Sequence, residues 1–363
     1  MSGATQTVPR RAIALVSGGL DSMLAVKVMQ DQGIEVEGVN FYTGFCVEGH
    51  THAIREKDKD RDKRNNALWV AERLGIKLHI IDISEEYKDV VLNPKHGYGA
   101  HMNPCLDCKI FMVGKANLML NKARELAADK GFDFVITGEV VGQRPKSQRK
   151  ETLPMIARES GAEDRLLRPL CAHNLPETLP EREGWVDRSR LHGFHGRNRK
   201  PQMALAEHFG LDDYAQPAGG CCFLTNETYS KKLVDLWQAR DKRDYEMDDI
   251  MLLKVGRHLR PRPHFKLIVS REHGENNFLE GYRYQFTSIH SVSHNGPLAL
   301  IDGPLEGLED EELAAAIVAR YTQGRNDSEV TLEIRSPDGV CRQVTVAPLA
   351  ASAILPAWHV GEA

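Results

Sequence analysis

Through the first half of the chain, short apolar runs alternate with stretches of helical period. Ala12–Val16 is a compact apolar run that fits a buried strand. Ser17-Gly18-Gly19-Leu20-Asp21-Ser22 then turns the chain, and Leu24, Ala25, Val28 and Met29 recur at helical spacing until Gly33. Glu35–Phe41, Lys77–Ile83 and Phe132–Thr137 read as three further strands, with helices predicted over Arg55–Leu74 and Leu106–Lys130. This alternation predicts an α/β fold with a doubly wound parallel sheet. In such sheets ligands gather at the carboxyl ends of the strands, which here are Ser17, Tyr42, Ile83 and Gly138.

From Leu170 to Lys200 the periodicity dissolves into Pro, His, Gly and Arg, and short helices follow over Gln202–Phe209 and Thr228–Arg240. Beyond Asp249 the texture becomes that of strands between turns: Met251–Val255, Phe265–Val269, Tyr284–Ser288, Leu298–Ile301, Val330–Ile334 and Gln343–Val346, with one helix over Asp310–Tyr321. The expected organisation is an α/β domain over 1–172, a linking segment over 173–240 and a smaller α+β domain over 241–363.

Composition adds limits. The 363 residues are 41% hydrophobic, enough for more than one buried core. No window approaches the roughly 20 apolar residues that span a bilayer, and Met1–Arg11 holds no apolar signal core, so a cytoplasmic protein is expected. Seven cysteines without an export signal do not suggest a disulfide framework. The net charge of −4 hides local excess: Lys254–Arg271 holds six Lys/Arg and no acid, and Arg188–Lys200 holds five and no acid.

The turn Ser17–Ser22 follows a strand and opens a helix. Its glycines let the backbone approach an anion, and the helix start supplies unpaired N–H groups. Asp21 would repel a bare phosphate, but it suits Mg²⁺ held against a polyphosphate. The Gly-Lys-Ser/Thr ending of a Walker loop is missing. The cation-rich loop Gly142–Lys150 lies after the fourth predicted strand, where Arg144, Lys146, Arg149 and Lys150 could meet ATP phosphates or an RNA backbone. His50, His52, His96 and His101 show no metal-ligand spacing.

SGGLDS after the first strand resembles the signature of the PP-loop ATP pyrophosphatases, of adenine nucleotide alpha hydrolase-like fold, which cleave ATP between its α and β phosphates to adenylate a substrate. Thr137–Gln148 resembles the TGE-x-x-GQ-x-x-SQ segment of the tRNA 4-thiouridine synthetases. Asn103-Pro-Cys-Leu-Asp-Cys108 resembles the NP-x-x-x-C element of the tRNA 2-thiouridylases, where the last Cys receives sulfur. The resemblance spans roughly residues 10–230 and implies that Ser17, Gly18, Gly19, Asp21, Ser22, Gly138 and Gln143 hold ATP and Mg²⁺. It also implies Asp21, Cys108 and Cys222 as catalytic residues.

Cys105 and Cys108 form a CxxC with no second CxxC, so a zinc ribbon is excluded. Gly219-Gly-Cys221-Cys222 presents two more thiols in a glycine-led loop. Some PP-loop thiolases hold a [4Fe–4S] cluster on three cysteines, and Cys105, Cys108 and Cys222, with Cys221 as the alternative, resemble that set. The 2-thiouridylases without a cluster carry Asp where this chain has Cys105, which favours the cluster. A persulfide relay through Cys108 and Cys222 and a purely structural CxxC stand beside it. Cys222-Phe223 resembles the CF pair of the 2-thiouridylases. Cys46, Cys171 and Cys341 read as small buried hydrophobes.

In the C-terminal part, Val255-Gly-Arg-His-Leu-Arg260, Lys266–Arg271 and Glu275-Asn-Asn-Phe-Leu279 resemble the RNA-binding module of the NFACT proteins, with Ser270 in place of the usual Gly. Arg257, His258, Arg260, Arg271 and Asn276 are the RNA-binding candidates, with Arg262 and Lys266 adding charge. Together these resemblances imply an ATP-dependent tRNA sulfurtransferase that takes tRNA and a sulfur donor, either sulfide or a persulfide carrier. The other expectations are a PP-loop enzyme adenylating a small molecule, and a non-catalytic RNA-binding protein with a relic loop. The modified position, the uracil atom and the oligomeric state are not encoded in any recognisable motif.

Overall fold

The computed structural model describes residues 9–47, 65–126, 131–214 and 221–361. They fall into two units, one of residues up to Thr43 with Arg64–Gly219, the other of Gly44–Lys63 with Gly220–Ala363. Residues 173–214 therefore belong to the first unit and 221–240 to the second.

The first unit contains β1 (Arg11–Leu15), α1 (Leu20–Asp31), β2 (Glu35–Tyr42), α2 (Asn66–Leu74), β3 (Leu78–Asp82), α3 (Ser84–Leu92), α4 (Cys105–Leu126), β4 (Phe134–Thr137), α5 (Thr152–Glu159), β5 (Leu166–Leu167), α6 (Leu179–Arg182) and α7 (Lys200–His208). All strands run parallel in the order β3-β2-β1-β4-β5, the doubly wound sheet that the alternation predicts. β1 is buried on both faces, which is why it is a continuous apolar run. Ala12, Ala14 and Val16 pack towards α1, while Ile13 packs with Val113, Ala116 and Leu120 of α4. The chain order reverses between β1 and β4, so the loops that follow these two strands open the crevice where such sheets bind ligands.

The sequence pattern misses α3, α5 and β5. Of the nine residues of α3 only Ser84, Tyr87 and Val91 are buried, too few for a clear stripe, and β5 is two residues long. Residues 127–130 of the predicted long helix lie outside the described residues. So do His50, His52, Gly219 and the charged first half of the predicted Arg55–Leu74 helix. The part seen, α2, begins where the Asn65 side chain accepts from the Leu68 N–H at 3.1 Å.

The second unit contains α8 (Glu227–Ala239), α9 (Met247–Leu252), β6 (Arg257–Arg262), β7 (Phe265–Val269), α10 (His273–Glu280), β8 (Thr287–Ser291), β9 (Leu298–Asp302), α11 (Leu308–Arg320), β10 (Val330–Arg335) and β11 (Cys341–Val346). Its sheet is antiparallel in the order β11-β10-β8-β9-β7-β6, and α11 covers one face through Ala314, Ala315, Ile317 and Val318. This is the expected α+β domain.

Two expected strands differ. The segment over Met251–Val255 holds the last two residues of α9 and the turn that follows, because Glu246 and Asp249 close a capping box ahead of the apolar run and Asp249 also holds Arg240 through contacts of 2.7 and 2.6 Å. The strand placed at Tyr284–Ser288 begins instead at Thr287, with Tyr284 in the preceding turn and 69% exposed. β6 escapes the pattern because it is an edge strand of Arg, His and Pro, with its register shift between Leu259 and Arg262 accommodating Pro261.

Candidate nucleotide and thiol site

The loop after β1 is shaped by two close approaches. Gly18 has φ +77°, and a Cβ there would stand 2.5 Å from Asn66 Cβ, so only glycine lets the loop lie on the start of α2. Gly138, directly after β4, would bring a Cβ to 2.4 Å from the backbone carbonyl of Asp21 and 2.5 Å from Ser22 N. The loops that follow β1 and β4 are thus in backbone contact at the switch point. Gly19 caps α1 with no side-chain hydrogen bond, leaving the first N–H groups of the helix uncapped by a side chain. Ser22 Oγ donates to the Gly19 carbonyl at 2.8 Å, and Ser17 Oγ lies 3.5 Å from Ser22 Oγ.

Asp21 is the centre of this arrangement. Gln143 Nε2 donates to its Oδ2 at 2.8 Å, while its Oδ1 is buried with no hydrogen-bond partner among the described residues. Burial pushes the carboxyl above its ordinary value, opposed by Gln143 and by the Arg199 and Arg144 cations. A carboxylate left in that condition is what a divalent cation relieves, so Mg²⁺ and a polyphosphate fit the residues present. Gln143 Oε1 and Gln148 Oε1 are likewise buried without partners. Arg199, in the acid-poor 188–200 run, is the contributor that sequence reasoning missed. The run stood out for its charge, but nothing local showed that the Gly196 N–H would bond the Val141 carbonyl at 2.7 Å and bring that segment alongside the loop after β4.

Next to Asp21's partner lies a buried ion pair. Arg168 Nε donates to Glu139 Oε2 at 2.9 Å, the two side chains being 4% and 3% exposed. Burial disfavours ionised Glu139, but Arg168 and Lys109 of α4 overcome it and hold the carboxyl below its ordinary value. The backbone of the loop after β4 is thereby anchored, while Arg144, Lys146, Arg149 and Lys150 remain exposed on it.

The CxxC occupies the first turn of α4, Cys105 opening the helix and Cys108 one turn on. A helix that leads into a parallel strand begins at the carboxyl end of the sheet, so this turn lies on the same edge as the Asp21 loop. The helix start favours negative charge on a sulfur there. Asn103 Nδ2 donates to Cys105 Sγ at 3.0 Å, and Asp107 accepts from the backbone N–H groups of Lys95 at 3.0 Å and His96 at 3.1 Å. Lys146 Nζ reaches the Tyr98 carbonyl at 2.5 Å, tying the loop after β4 to the segment that leads into the thiols.

Cys221 and Cys222 belong to the second unit. Among the described residues, no three His, Cys, Asp or Glu side chains are gathered as for a metal ion. Cys105 and Cys108 belong to the first unit, so the three-cysteine set that the resemblance implies for a [4Fe–4S] cluster draws on residues of both units. Cys171 is buried as expected; its thiol donates to the Glu139 carbonyl at 3.1 Å, and burial pushes it up to about 11. The same reading does not hold for Cys46, which is only partly buried, or for Cys341, which is exposed at the start of an outer strand.

The C-terminal candidates separate sharply. His258 is 2% exposed, with a ring nitrogen 3.0 Å from the Val255 carbonyl, and burial drives its pKa well down. It is a core histidine rather than an RNA contact. Arg260 makes two bonds to Asp235 of α8, at 2.6 and 2.9 Å, and Lys266 is 1% exposed between Asp235 and Asp302. Arg262 pairs with Glu309 at 2.7 Å. Asn276 accepts from the Leu298 N–H at 2.9 Å and from Ser270, fixing α10 to β9. Arg257 lies 5.1 Å from the Tyr321 ring centroid, and Arg271 is exposed. The acid-free stripe is thus largely neutralised by acids from distant parts of the sequence.

Residues 10–160 match the tRNA methyl transferase HUP domain, and residues 256–359 match the NFACT protein RNA binding domain. The chain thus carries one segment similar to a HUP domain and another similar to an NFACT-type module. A tRNA-specific 2-thiouridylase MnmA of Thermus thermophilus is 30% identical over 228 residues, 60% of this chain and 56% of that protein. MnmA 1 of Syntrophus aciditrophicus is 28% identical over 160 residues, 42% of this chain and 38% of that protein. The chain spans little more than half the length of the first of these relatives. A solved structure described as a predicted subunit of tRNA methyltransferase from Methanocaldococcus jannaschii aligns with TM-score 0.32 and 15% identity, over 55% of this chain and 76% of that one, too loosely to carry an argument. Among the described residues, no helix is long and apolar enough to cross a membrane.

Proposed function

We propose that this protein is an ATP-dependent tRNA sulfurtransferase that replaces a uridine carbonyl oxygen with sulfur. The observation that carries the reading is Asp21: buried, short of a partner on Oδ1, bonded by Gln143 and crossed by the Gly138 backbone at the switch point of the sheet. ATP is assigned to the uncapped start of α1 and the loop Ser17–Ser22, with Asp21 as the ligand for Mg²⁺. Bound Mg²⁺ would supply charge neutralisation on the β and γ phosphates.

A carbonyl oxygen is a poor leaving group. In the proposed reaction it attacks the α-phosphorus and expels pyrophosphate, which turns it into an AMP ester. Arg144 and Arg199, both acting electrostatically on Asp21, are assigned to stabilise the negative charge that develops there. Sulfur then attacks the activated carbon, and AMP departs with the original oxygen. Cys108, in the helix-start turn, is assigned the delivery of sulfur, with Cys222 as the accompanying thiol that its Cys-Phe motif suggests. The relatives described above are 2-thiouridylases, which favours the C2 carbonyl. The NFACT-type module is assigned to the tRNA body, and its remaining exposed cations would contact phosphates rather than bases.

Mass spectrometry of tRNA nucleosides from cells with and without the gene tests this reading. Loss of a 2-thiouridine derivative in the deletion strain is expected; an unchanged set of thionucleosides would contradict it.

A further inference from the structure

In the second unit, the segment Phe45–Cys46 lies antiparallel to Cys222–Phe223. The Phe223 N–H donates to the Phe45 carbonyl at 2.9 Å, and Cys46 and Cys222 are bridge partners. That bond joins the residue before Cys46 to the residue after Cys222, which makes the cysteines a non-hydrogen-bonded pair. Such pairs hold their Cα atoms about 4.5 Å apart with both side chains on one face. A disulfide spans Cα separations of about 4.4–6.8 Å. Both thiols are partly exposed, so a small reagent can reach them.

The segment that carries Cys46 is held by its neighbours. Lys254 Nζ donates to the Gly44 carbonyl at 2.6 Å, lies 5.1 Å from the Phe223 ring centroid and interacts electrostatically with Cys46. Phe45 is held edge-on between Tyr245 and Tyr229, with centroid distances of 5.5 and 6.2 Å, which fixes the strand that carries Cys46.

We propose that Cys46 and Cys222 are a thiol–disulfide couple whose co-reactant is a small-molecule disulfide of the glutathione class. The Cys46 thiolate attacks one sulfur of the reagent, a new S–S bond forms as the old one breaks, and one reagent thiolate leaves and takes up a proton. The Cys222 thiolate then attacks the Cys46 sulfur, closing Cys46–Cys222 and expelling the second reagent thiolate. Two protein thiols are oxidised by two electrons, one disulfide is reduced to two thiols, and the two protons from the protein end on the departing thiols. The consequence, which rests on the sulfur-transfer reading, is that the closed form withdraws Cys222 from sulfur handling.

The test uses the full chain in excess oxidised glutathione, quenched in acid, alkylated, digested without reductant and read by mass spectrometry. The expected product is one linked pair of peptides carrying Cys46 and Cys222, abolished by dithiothreitol. Cys222 joined to Cys221 or to Cys108, or carrying glutathione while Cys46 is alkylated, would overturn the proposal. Cys46→Ser should keep the thiolation rate of the reduced protein and lose its inhibition by oxidised glutathione; retained inhibition would overturn it. Active enzyme without the link refutes the couple alone, whereas the link in a protein that never thiolates tRNA refutes the functional reading alone.

Discussion

The loop around Asp21 and the basic segment around Arg260 look alike in sequence, each a cluster of polar residues beside a strand, yet they are finished differently. Around Asp21 polar atoms are left over: Asp21 Oδ1, Gln143 Oε1 and Gln148 Oε1 are buried without partners. Around Arg260 the charges are used up, by Asp235 from α8, Asp302 from β9 and Glu309 from α11. Burial opposes ionisation of Asp235, and Arg260 and Lys266 overcome it and keep the carboxyl below its ordinary value. Leaving buried polar atoms unpaired is unfavourable, by roughly 1–3 kcal/mol each, so a fold keeps them where a ligand completes them. A saturated ion-pair network shapes a module; an unsaturated one waits for a guest.

The largest expected effect is at the unsaturated site. Asp21→Asn should lower tRNA-dependent AMP formation at least ~10³-fold, in line with removal of a group that organises transition-state charge. The same change should leave thermal stability equal or higher, because it removes a buried charge that burial disfavours. A variant that loses stability in proportion to activity would mark Asp21 as structural. Gly138→Ala comes next: its Cβ would stand 2.4 Å from backbone that cannot swing aside, so ATP affinity measured by calorimetry should fall at least ~10-fold, about 1.4 kcal/mol.

On the saturated side, breaking a buried pair should register as stability. Arg168→Met, which strands Glu139, should cost about 3–5 kcal/mol in denaturant unfolding at pH 7. Glu139 has a folded pKa held below its ordinary 4.5, so the pair's contribution is complete above that value and is lost as pH falls through the lower folded one. In the variant the stranded Glu139 is pushed up by burial and takes a proton while the paired one stays ionised, so the wild-type advantage should be largest at neutral pH and shrink as the pH falls. The smallest effects concern RNA. Arg271→Ala should reduce the salt slope of tRNA binding by about 1 with stability nearly unchanged, whereas Arg260→Ala should destabilise the module and leave the slope alone. Equal slopes for the two variants would erase the distinction between exposed and neutralised cations.

These contrasts explain what could be read from the chain alone. Strand–helix alternation and SGGLDS depend on local sequence, so the parallel sheet, the loop after β1 and the Gly138–Gln143 segment were legible. The pairing of Arg260 with Asp235 joins residues 25 apart and that of Arg262 with Glu309 joins residues 47 apart. No local window contains both partners, and the stripe therefore looked uncompensated. His258 carried the same ambiguity, since a polar residue in a basic run gives no sign that its ring will face inward. Cys46 was read as a packing residue for a related reason: its neighbour Cys222 lies far along the chain, and only the tertiary ladder sets them side by side.

The most direct test of the central claim is release of AMP and pyrophosphate by purified, reduced protein given ATP, Mg²⁺, tRNA and a sulfide or persulfide donor. The account predicts that both products form in equal amounts with thiouridine and that omission of tRNA stops all three. Turnover of ATP that is indifferent to tRNA, or ADP in place of AMP, would contradict it.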